Sequence, residues 1–297
     1  MPSLKEIRER KASVASTMQI TSAMKMVSAA KLRKAQDAIV QFRPYAEKFK
    51  EILGSVIDSL KDERDTPFAE KRIQENILLV LVTSNRGLCG AFNSNVIKAG
   101  IHRALTRYYH QSMRRQVDFI AIGKKGNDFL KKKGYSVIFD GSDLFQELTF
   151  ENVETMASMI MKLFLDKKYD QVDLVYNQFK NAATQVLFEE QFLPIQIDQL
   201  KEEGHANASN VDYIFEPSEE YIVKELIPRS LRLQFFRVML DSHAAEHGAR
   251  MTAMHKATDN ATELLKELSL QFNKARQAAI TTEILEIVSG AEALKKT

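Results

Sequence analysis

Between Leu4 and Leu53 the chain has no glycine and a single proline, and strong helix formers dominate: Ala, Lys, Arg, Glu, Met and Gln. This predicts one helix of ~55 residues, ~80 Å long at the helical rise of about 1.5 Å per residue. Ser3 and Glu6 have the spacing of a capping box at its start. Pro44 predicts a kink or a fray near Arg43-Pro44-Tyr45. The C-terminal third has the same character. Between Pro228 and Gly290 the only breaker is Gly248, so a second helix of ~60 residues and ~90 Å is expected, with Glu219 to Leu226 as a turn or two leading into it. Three or four turns are usual in a compact globule, so helices this long must bury their apolar faces in another way.

The spacing of apolar residues says how. A seam of 3,4 spacing runs through Ala244, His247, Met251, Met254, Thr258, Ala261, Leu265, Leu268, Phe272, Ala275, Ala279 and Thr282, the signature of a left-handed coiled coil. It is small and partly polar, which lets two helices approach closely while burying less apolar area. A weaker face, Leu4, Ile7, Val14, Met18, Thr21, Ala35, Ile39, Phe42 and Phe49, lies on the first helix. Antiparallel pairing of the chain's own two ends uses both faces.

Between them the pattern changes. Asn76 to Ser84 (NILLVLVTS) is a continuous apolar run, as expected of a strand buried on both faces of a parallel sheet. Strand-like runs follow at Val117 to Ile122, Ser136 to Phe139, Val172 to Tyr176 and Thr184 to Phe188. Helical stretches lie at Ala91 to His110, Lys124 to Lys133 and Glu151 to Lys167. This alternation predicts an inserted Rossmann-like α/β domain with a mainly parallel sheet. Lys201 to Asn210 (KEEGHANASN) reads as a loop. The expected division is residues 1–60 for the first coiled-coil helix, 61–212 for the α/β domain and 213–297 for the returning helix.

Composition limits what such a chain can do. Cys89 is the only cysteine, so no intrachain disulfide forms, which suits a reducing compartment. No stretch reaches the roughly 18 apolar residues of a membrane span. The opening MPSLKEIRERK is charged where an export signal is apolar, so export is not expected. Residues 1–50 hold eleven Lys/Arg against four acids, a surplus of +7 in a chain of net charge +3. Such a segment attracts nucleic acid, anionic lipid or an acidic protein loop, unless it is only a solvated helix face.

Few residues suggest catalysis. The turn Thr83-Ser84-Asn85-Arg86-Gly87-Leu88-Cys89-Gly90 lies where an α/β sheet holds phosphate, yet it matches neither a P-loop nor a dinucleotide loop. Its glycines can simply turn the chain while Cys89 packs as a small hydrophobe. Cys89 as a nucleophile would need a nearby base. His243 and His247 flank Glu246, but the zinc-protease motif needs Glu directly after the first His. No carboxylate pair or catalytic triad stands out. A Rossmann-like nucleotide-binding enzyme and a basic coiled-coil nucleic-acid binder stay open as alternatives.

Three blocks carry a family likeness. Leu4-Lys5-Glu6-Ile7-Arg8, Ile20-Thr21-Ser22-Ala23-Met24-Lys25-Met26-Val27 and Arg43-Pro44-Tyr45 resemble the N-terminal shaft of the gamma subunit of F-type ATP synthase. The turn from Thr83 to Gly90 is similar to that family's central signature, with Ser84-Asn85 where an acid is common before the Arg. The C-terminal run Phe272-Asn273-Lys274-Ala275-Arg276-Gln277-Ala278-Ala279-Ile280-Thr281-Thr282-Glu283-Ile284, then Ile287-Val288-Ser289-Gly290-Ala291, is the most specific block.

The resemblance implies a central rotor stalk that turns with the membrane c ring and drives the catalytic α/β hexamer through its states, with ATP made on the β subunits. It implies no catalytic residue, no metal and no cofactor in this chain. The implied partners are the α, β, ε and δ subunits and the c ring, with no nucleic acid and no direct membrane insertion. Carried over residue by residue, Met24, Lys25, Arg250, Arg276, Gln277, Thr281 and Glu283 become β-subunit contacts. Ile280, Ile284, Ile287 and Val288 become a tip turning in an apolar sleeve. Arg43, Tyr45, Tyr213 and Glu216 become a foot near ε and the c ring. With Cys89 alone, the cysteine-pair redox switch of the chloroplast branch is not expected. The cytoplasmic face of a bacterial inner membrane is the implied location.

Overall fold

The computed structural model describes residues 3–59, 67–196 and 219–295. The expected domain boundaries, the loop 201–210, and the foot residues Tyr213 and Glu216 lie outside these residues.

Two helices dominate: α1, Leu4–Ser59, of 56 residues, and the last helix, Glu219–Lys295, of 77. The capping box forms, with the Ser3 amide donating to Glu6 Oε2 at 2.9 Å and the Glu6 amide to Ser3 Oγ at 3.2 Å. Neither proline ends a helix. Pro44 is on the exposed side of α1, with Val40 exposed one turn earlier, so the carbonyl that Pro44 deprives of its partner lies on the solvent side. Pro228 lies inside the last helix, which starts at Glu219 rather than after a separate lead-in turn. An interior proline costs about 3 kcal/mol. Ile227 and Leu231 beside it are 3% and 2% exposed, and burial of each is worth about 1.5–3 kcal/mol, so packing outweighs the break.

The chain divides into two compact units. The first comprises Met1–Val27 and Met251–Thr297. Here the Thr21 and Thr258 hydroxyls lie 2.9 Å apart, Thr262 donates to Met18 Sδ at 3.4 Å, and the Arg8 guanidinium sits 5.8 Å from the Phe272 ring centroid. One index falls as the other rises, so the two segments pair antiparallel. Ile7, Thr21, Met254, Ala261 and Leu268 are buried along the seam. The same register sets Leu4 near Arg276, where the first helix runs out. Ala279 and Thr282, expected in the seam, are therefore exposed.

The second unit is Ser28–Arg250. Among the described residues its strands are β1 (Ile77–Val82), β2 (Val117–Ile122), β3 (Val137–Asp140), β4 (Gln171–Phe179) and β5 (Gln185–Leu193). They lie in the order β3-β2-β1-β4-β5, parallel except for antiparallel β5. Helices α2 (Phe92–Thr106), α3 (Tyr109–Met113), α4 (Lys124–Lys132) and α5 (Phe150–Leu165) connect them, so the last helix is α6.

All six residues of β1 are buried, and they alternate between two cores. Leu78, Val80 and Val82 share a cluster with α5 and with Leu53, Ile227, Leu231 and Phe235 of the long helices. Ile77, Leu79 and Leu81 share the other cluster with α2 and Leu130 of α4. After β2 the chain turns at Gly123, with φ 108°, where any Cβ would lie 2.2 Å from the Thr83 carbonyl oxygen.

Within this unit, α6 runs alongside β4. The Phe192 and Phe235 rings are 5.7 Å apart at the level of the β4 amino end, where Leu193 pairs with Val172. Gly248 faces Phe179 and Ala182 at the other end. Thirteen residues of helix rise about 20 Å, close to the roughly 23 Å span of seven strand steps.

Candidate functional site

In an open α/β sheet, ligands bind beyond the carboxyl ends of the strands, where the strand order reverses. Here that point lies between β1 and β4, and the chain fills it with its own helix. Ala245 and Ala249 of α6 are buried against Cys89 and Phe92, with Phe179 packed on the cluster. A Cβ at Gly248 would come within 3.2 Å of the Ala182 carbonyl oxygen, so a small residue is needed for this approach.

The turn after β1 spends its polar groups internally. The Ser84 amide donates to Asn93 Oδ1 at 2.8 Å, Asn85 Nδ2 to the Ser142 carbonyl at 2.8 Å, and the Lys124 amide to Asn85 Oδ1 at 3.0 Å. Leu88 takes φ 62° and leaves its side chain 64% exposed.

Arg250 closes this arrangement. Its guanidinium pairs with Glu246 at 2.6 Å and donates to the carbonyls of Arg86 at 2.9 Å and Gly87 at 3.4 Å. Both partners of the pair are buried. Burial raises the Glu246 pKa, against the attraction of Arg250.

One turn back, His243 Nε2 and His247 Nε2 are 3.1 Å apart, and the His243 ring stacks on Phe145 at 6.0 Å. Burial, with the nearby charges of Lys31, Arg250 and Lys34, lowers the His243 pKa to about 4. Burial, His243, Arg250 and Lys31 lower that of His247 to about 3. Both rings are neutral near pH 7, so one can donate to the other. Glu246 is turned to Arg250, and no third ligand joins the rings among the described residues.

The far end of α6 is the opposite. Residues 276–291 are exposed throughout. Ile280, Ile284, Ile287 and Val288 are 48%, 55%, 66% and 50% exposed, and their spacing gathers them on one face. At 3.6 residues per turn, Arg276 and Glu283 border the isoleucine stripe on one side, and Gln277 and Thr281 on the other. Leu285, 60% exposed, adds to the apolar surface.

Residues 3–294 match the family model described as ATP synthase. Over 294 residues, 99% of both chains, the sequence is 55% identical to the ATP synthase gamma chain of Cytophaga hutchinsonii. It is 58% identical to that of Flavobacterium johnsoniae over the same share. The chain belongs to the ATP synthase gamma-chain family. Among solved structures, it is similar to a chain of the Tetrahymena thermophila mitochondrial ATP synthase central stalk and c ring, with TM-score 0.58 and 25% identity over 80% of this chain and 99% of that one. A chain of the Euglena gracilis mitochondrial ATP synthase shares the fold at TM-score 0.65 and 22% identity, covering 98% of this chain and 94% of that one.

Within the gamma-chain family frame, Arg276, Gln277, Thr281 and Glu283 are exposed and come together with the isoleucine stripe. Met24 and Lys25 are half-buried beside exposed Met26 and Val27. Arg250 is not among the exposed residues, because its side chain is taken up inside the fold on the Arg86–Gly87 turn. Arg43 and Tyr45 are exposed, and the Tyr45 ring lies 6.4 Å from Phe42 and 6.2 Å from Phe49. Sequence reasoning missed the latch formed by Arg250. A signal for it was present in Glu246 and Arg250 at i, i+4 beside the small residues Ala245, Gly248 and Ala249.

Proposed function

We infer that this gamma chain is the central rotor stalk of an F-type ATP synthase, carrying torque between the membrane c ring and the catalytic α/β hexamer. The observation that carries the reading is the last part of α6. It is a helix that leaves its isoleucine face exposed over residues 276–291, in a chain whose family is the gamma chain. A contiguous exposed apolar stripe bordered by polar residues marks a partner surface.

The physical division of labour follows. Paired antiparallel helices resist bending and twisting better than one, and a seam of small residues keeps the pair thin. The stripe Ile280-Ile284-Ile287 with Val288 turns inside an apolar sleeve made by the hexamer, where non-directional contacts slide without a preferred angle. Arg276, Gln277, Thr281 and Glu283 on its borders meet loops of the β subunits. Met24 and Lys25, within the basic N-terminal segment, meet an acidic β loop through exposed ion pairs that are individually weak and so can be exchanged during rotation. Arg43 and Tyr45, with Tyr213 and Glu216, form the foot toward ε and the c ring.

Catalysis takes place on β and not on this chain, which supplies the asymmetry that makes the three catalytic sites differ. The stalk is peripheral, at the cytoplasmic face of a bacterial inner membrane. Among the described residues no helix is long and apolar enough to cross a membrane.

Purification of a tagged chain from its native membranes tests the reading. Recovery of α, β and ε in fixed ratio, with a c ring, is the expected result. Recovery of the chain without them, or stabilisation of the lone chain by ATP or NAD, would overturn it.

A further inference from the structure

From Asn76 to Val117 the sequence contains no Asp or Glu, although it carries six Lys/Arg. The fold brings three of the six, Arg107, Arg114 and Arg115, to one rim, which they share with the acids Glu75, Asp118, Asp166 and Asp170. In a parallel sheet, the residues that lead into each strand gather at the amino edge. At the edge formed by β3, β2, β1 and β4 these residues span about 15 Å at a strand spacing near 4.8 Å. Arg114 and Arg115 lead into β2, the exposed lysine run 131–133 leads into β3, and Lys167 and Lys168 lead into β4.

The rim also carries apolar groups. Ile73 is 84% exposed, Tyr109 51% and Met113 71%. Tyr109 and Met113 are one turn apart on α3, and Gln111 of α3 donates to the Gln74 carbonyl at 2.8 Å, which fastens α3 beside Ile73. The corner between α2 and α3 is pinned from within. Tyr108, 1% exposed, donates to Asp173, which also pairs with Arg103 at 2.6 Å. Arg107 and Tyr109, on either side of Tyr108, are exposed. The surface is thus held in place before anything binds.

We propose that this amino-edge rim, with Arg107, Arg114 and Arg115 around Tyr109 and Met113, rests on the anionic surface of the lipid bilayer. Cations whose stems lie along apolar groups, with Tyr among them, are the composition that suits the headgroup layer. Each Lys or Arg near an anionic bilayer contributes to attraction that fades within a Debye length. The orientation rests on the stalk reading above. Phe42 of α1 packs on Phe236 at 5.2 Å, and neighbouring Phe235 packs on Phe192 at the amino end of β4. The foot residues Arg43 and Tyr45 and the rim therefore occupy the same end of this unit, the end that the stalk reading directs at the membrane.

The basic N-terminal segment would also attract anionic vesicles, so the test uses a local probe. The full-length M113C chain carries an environment-sensitive fluorophore, Cys89 being buried. It is mixed with vesicles of phosphatidylcholine alone or with about 30% phosphatidylglycerol. A blue shift with the anionic vesicles only, lost at high salt, is expected. Combining R107A, R114A and R115A should weaken the response roughly 100-fold, at about fivefold per cation, whereas R8A, R10A and K11A together should leave the probe's shift intact.

An equal response to zwitterionic vesicles, or one unchanged by the rim variants, would overturn the proposal. So would rim variants that shift with vesicles like the wild type but no longer copurify with the c ring, since the rim would then belong to a protein partner. If the unaltered chain fails to copurify with the ring at all, the stalk reading falls instead, and the vesicle response is judged separately.

Discussion

Two stretches of one helix have opposite surroundings. Around residues 244–250 of α6 every side chain is buried, and small residues bring the helix onto the turn after β1. From 276 to 291 every residue is exposed, including three isoleucines. Helix propensity does not distinguish them, since Ala, Glu and Arg occur in both. What differs is whether the chain provides the partner. In the first stretch the helix occupies the crevice where a doubly wound sheet would hold a ligand, so a ligand-binding layout becomes an anchor. In the second, no partner is provided among the described residues, as the proposed shaft tip would require.

The sharpest test makes the same change in both stretches. Arg250→Met should cost about 3–5 kcal/mol of stability in urea unfolding, because Glu246 is left buried and unpaired. Arg276→Met, at an exposed site, should stay within about 0.5 kcal/mol. Replacing Glu246 and Arg250 together by Leu and Met should recover most of the loss. Equal costs at positions 250 and 276 would remove the contrast.

Next in size is a pH dependence confined to the buried stretch. The folded-state pKa values of His243 and His247, about 4 and about 3, lie below the ordinary 6.5. The unfolded chain thus binds more protons between these values. Stability is fully present above pH 6.5 and is lost as pH falls toward 4, by on the order of 3 kcal/mol for each ring. Glu246 and Asp241, whose pKa values burial raises, act in the opposite sense. The informative quantity is therefore the difference between wild type and His243→Gln, which should shrink between pH 6.5 and pH 4. A constant difference would mean that the rings are not held neutral.

The exposed stretch should respond in activity rather than stability. Arg276→Ala with Gln277→Ala should lower ATP hydrolysis by the assembled complex several-fold, while the isolated chain unfolds within about 0.5 kcal/mol of wild type. Full turnover in a completely assembled complex would remove these residues from the β-subunit contact.

Much of this architecture was legible in the sequence because it rests on periodicity. The capping box, the 3,4-spaced seam and the apolar run of β1 all report local rules. The exposed isoleucine face was also legible, although periodicity alone could not say that the first helix would end before covering it; Ala279 and Thr282 carry the same spacing as the covered residues. What escaped was set by tertiary packing. Pro228 reads as a helix start, yet Ile227 and Leu231 carry the helix through it. Arg103 of α2, on which no sequence pattern bears, is buried between Asp173 and Glu189 at 2.6 and 2.8 Å. For Arg250, assigned to the β-subunit contact by family likeness, only the fold adds that its guanidinium is turned onto two backbone carbonyls.

The smallest expected effect concerns the polar seam of the terminal pair. Thr258→Val removes one hydroxyl of the Thr21–Thr258 contact at 2.9 Å while keeping the β-branched shape. It should cost about 0.5–1 kcal/mol, because Thr21 can still donate to the Met18 carbonyl at 3.0 Å. Replacing both threonines by valine should be close to neutral, since an apolar pair of the same shape leaves no hydroxyl unsatisfied. Thermal unfolding of the two variants separates the alternatives. If the double variant costs no more than the single, the hydroxyls add nothing to the fold that valine cannot supply, and their place in the seam must be explained by how the pair behaves under twist. If it costs clearly more, the hydroxyl contact itself holds the pair together at this level.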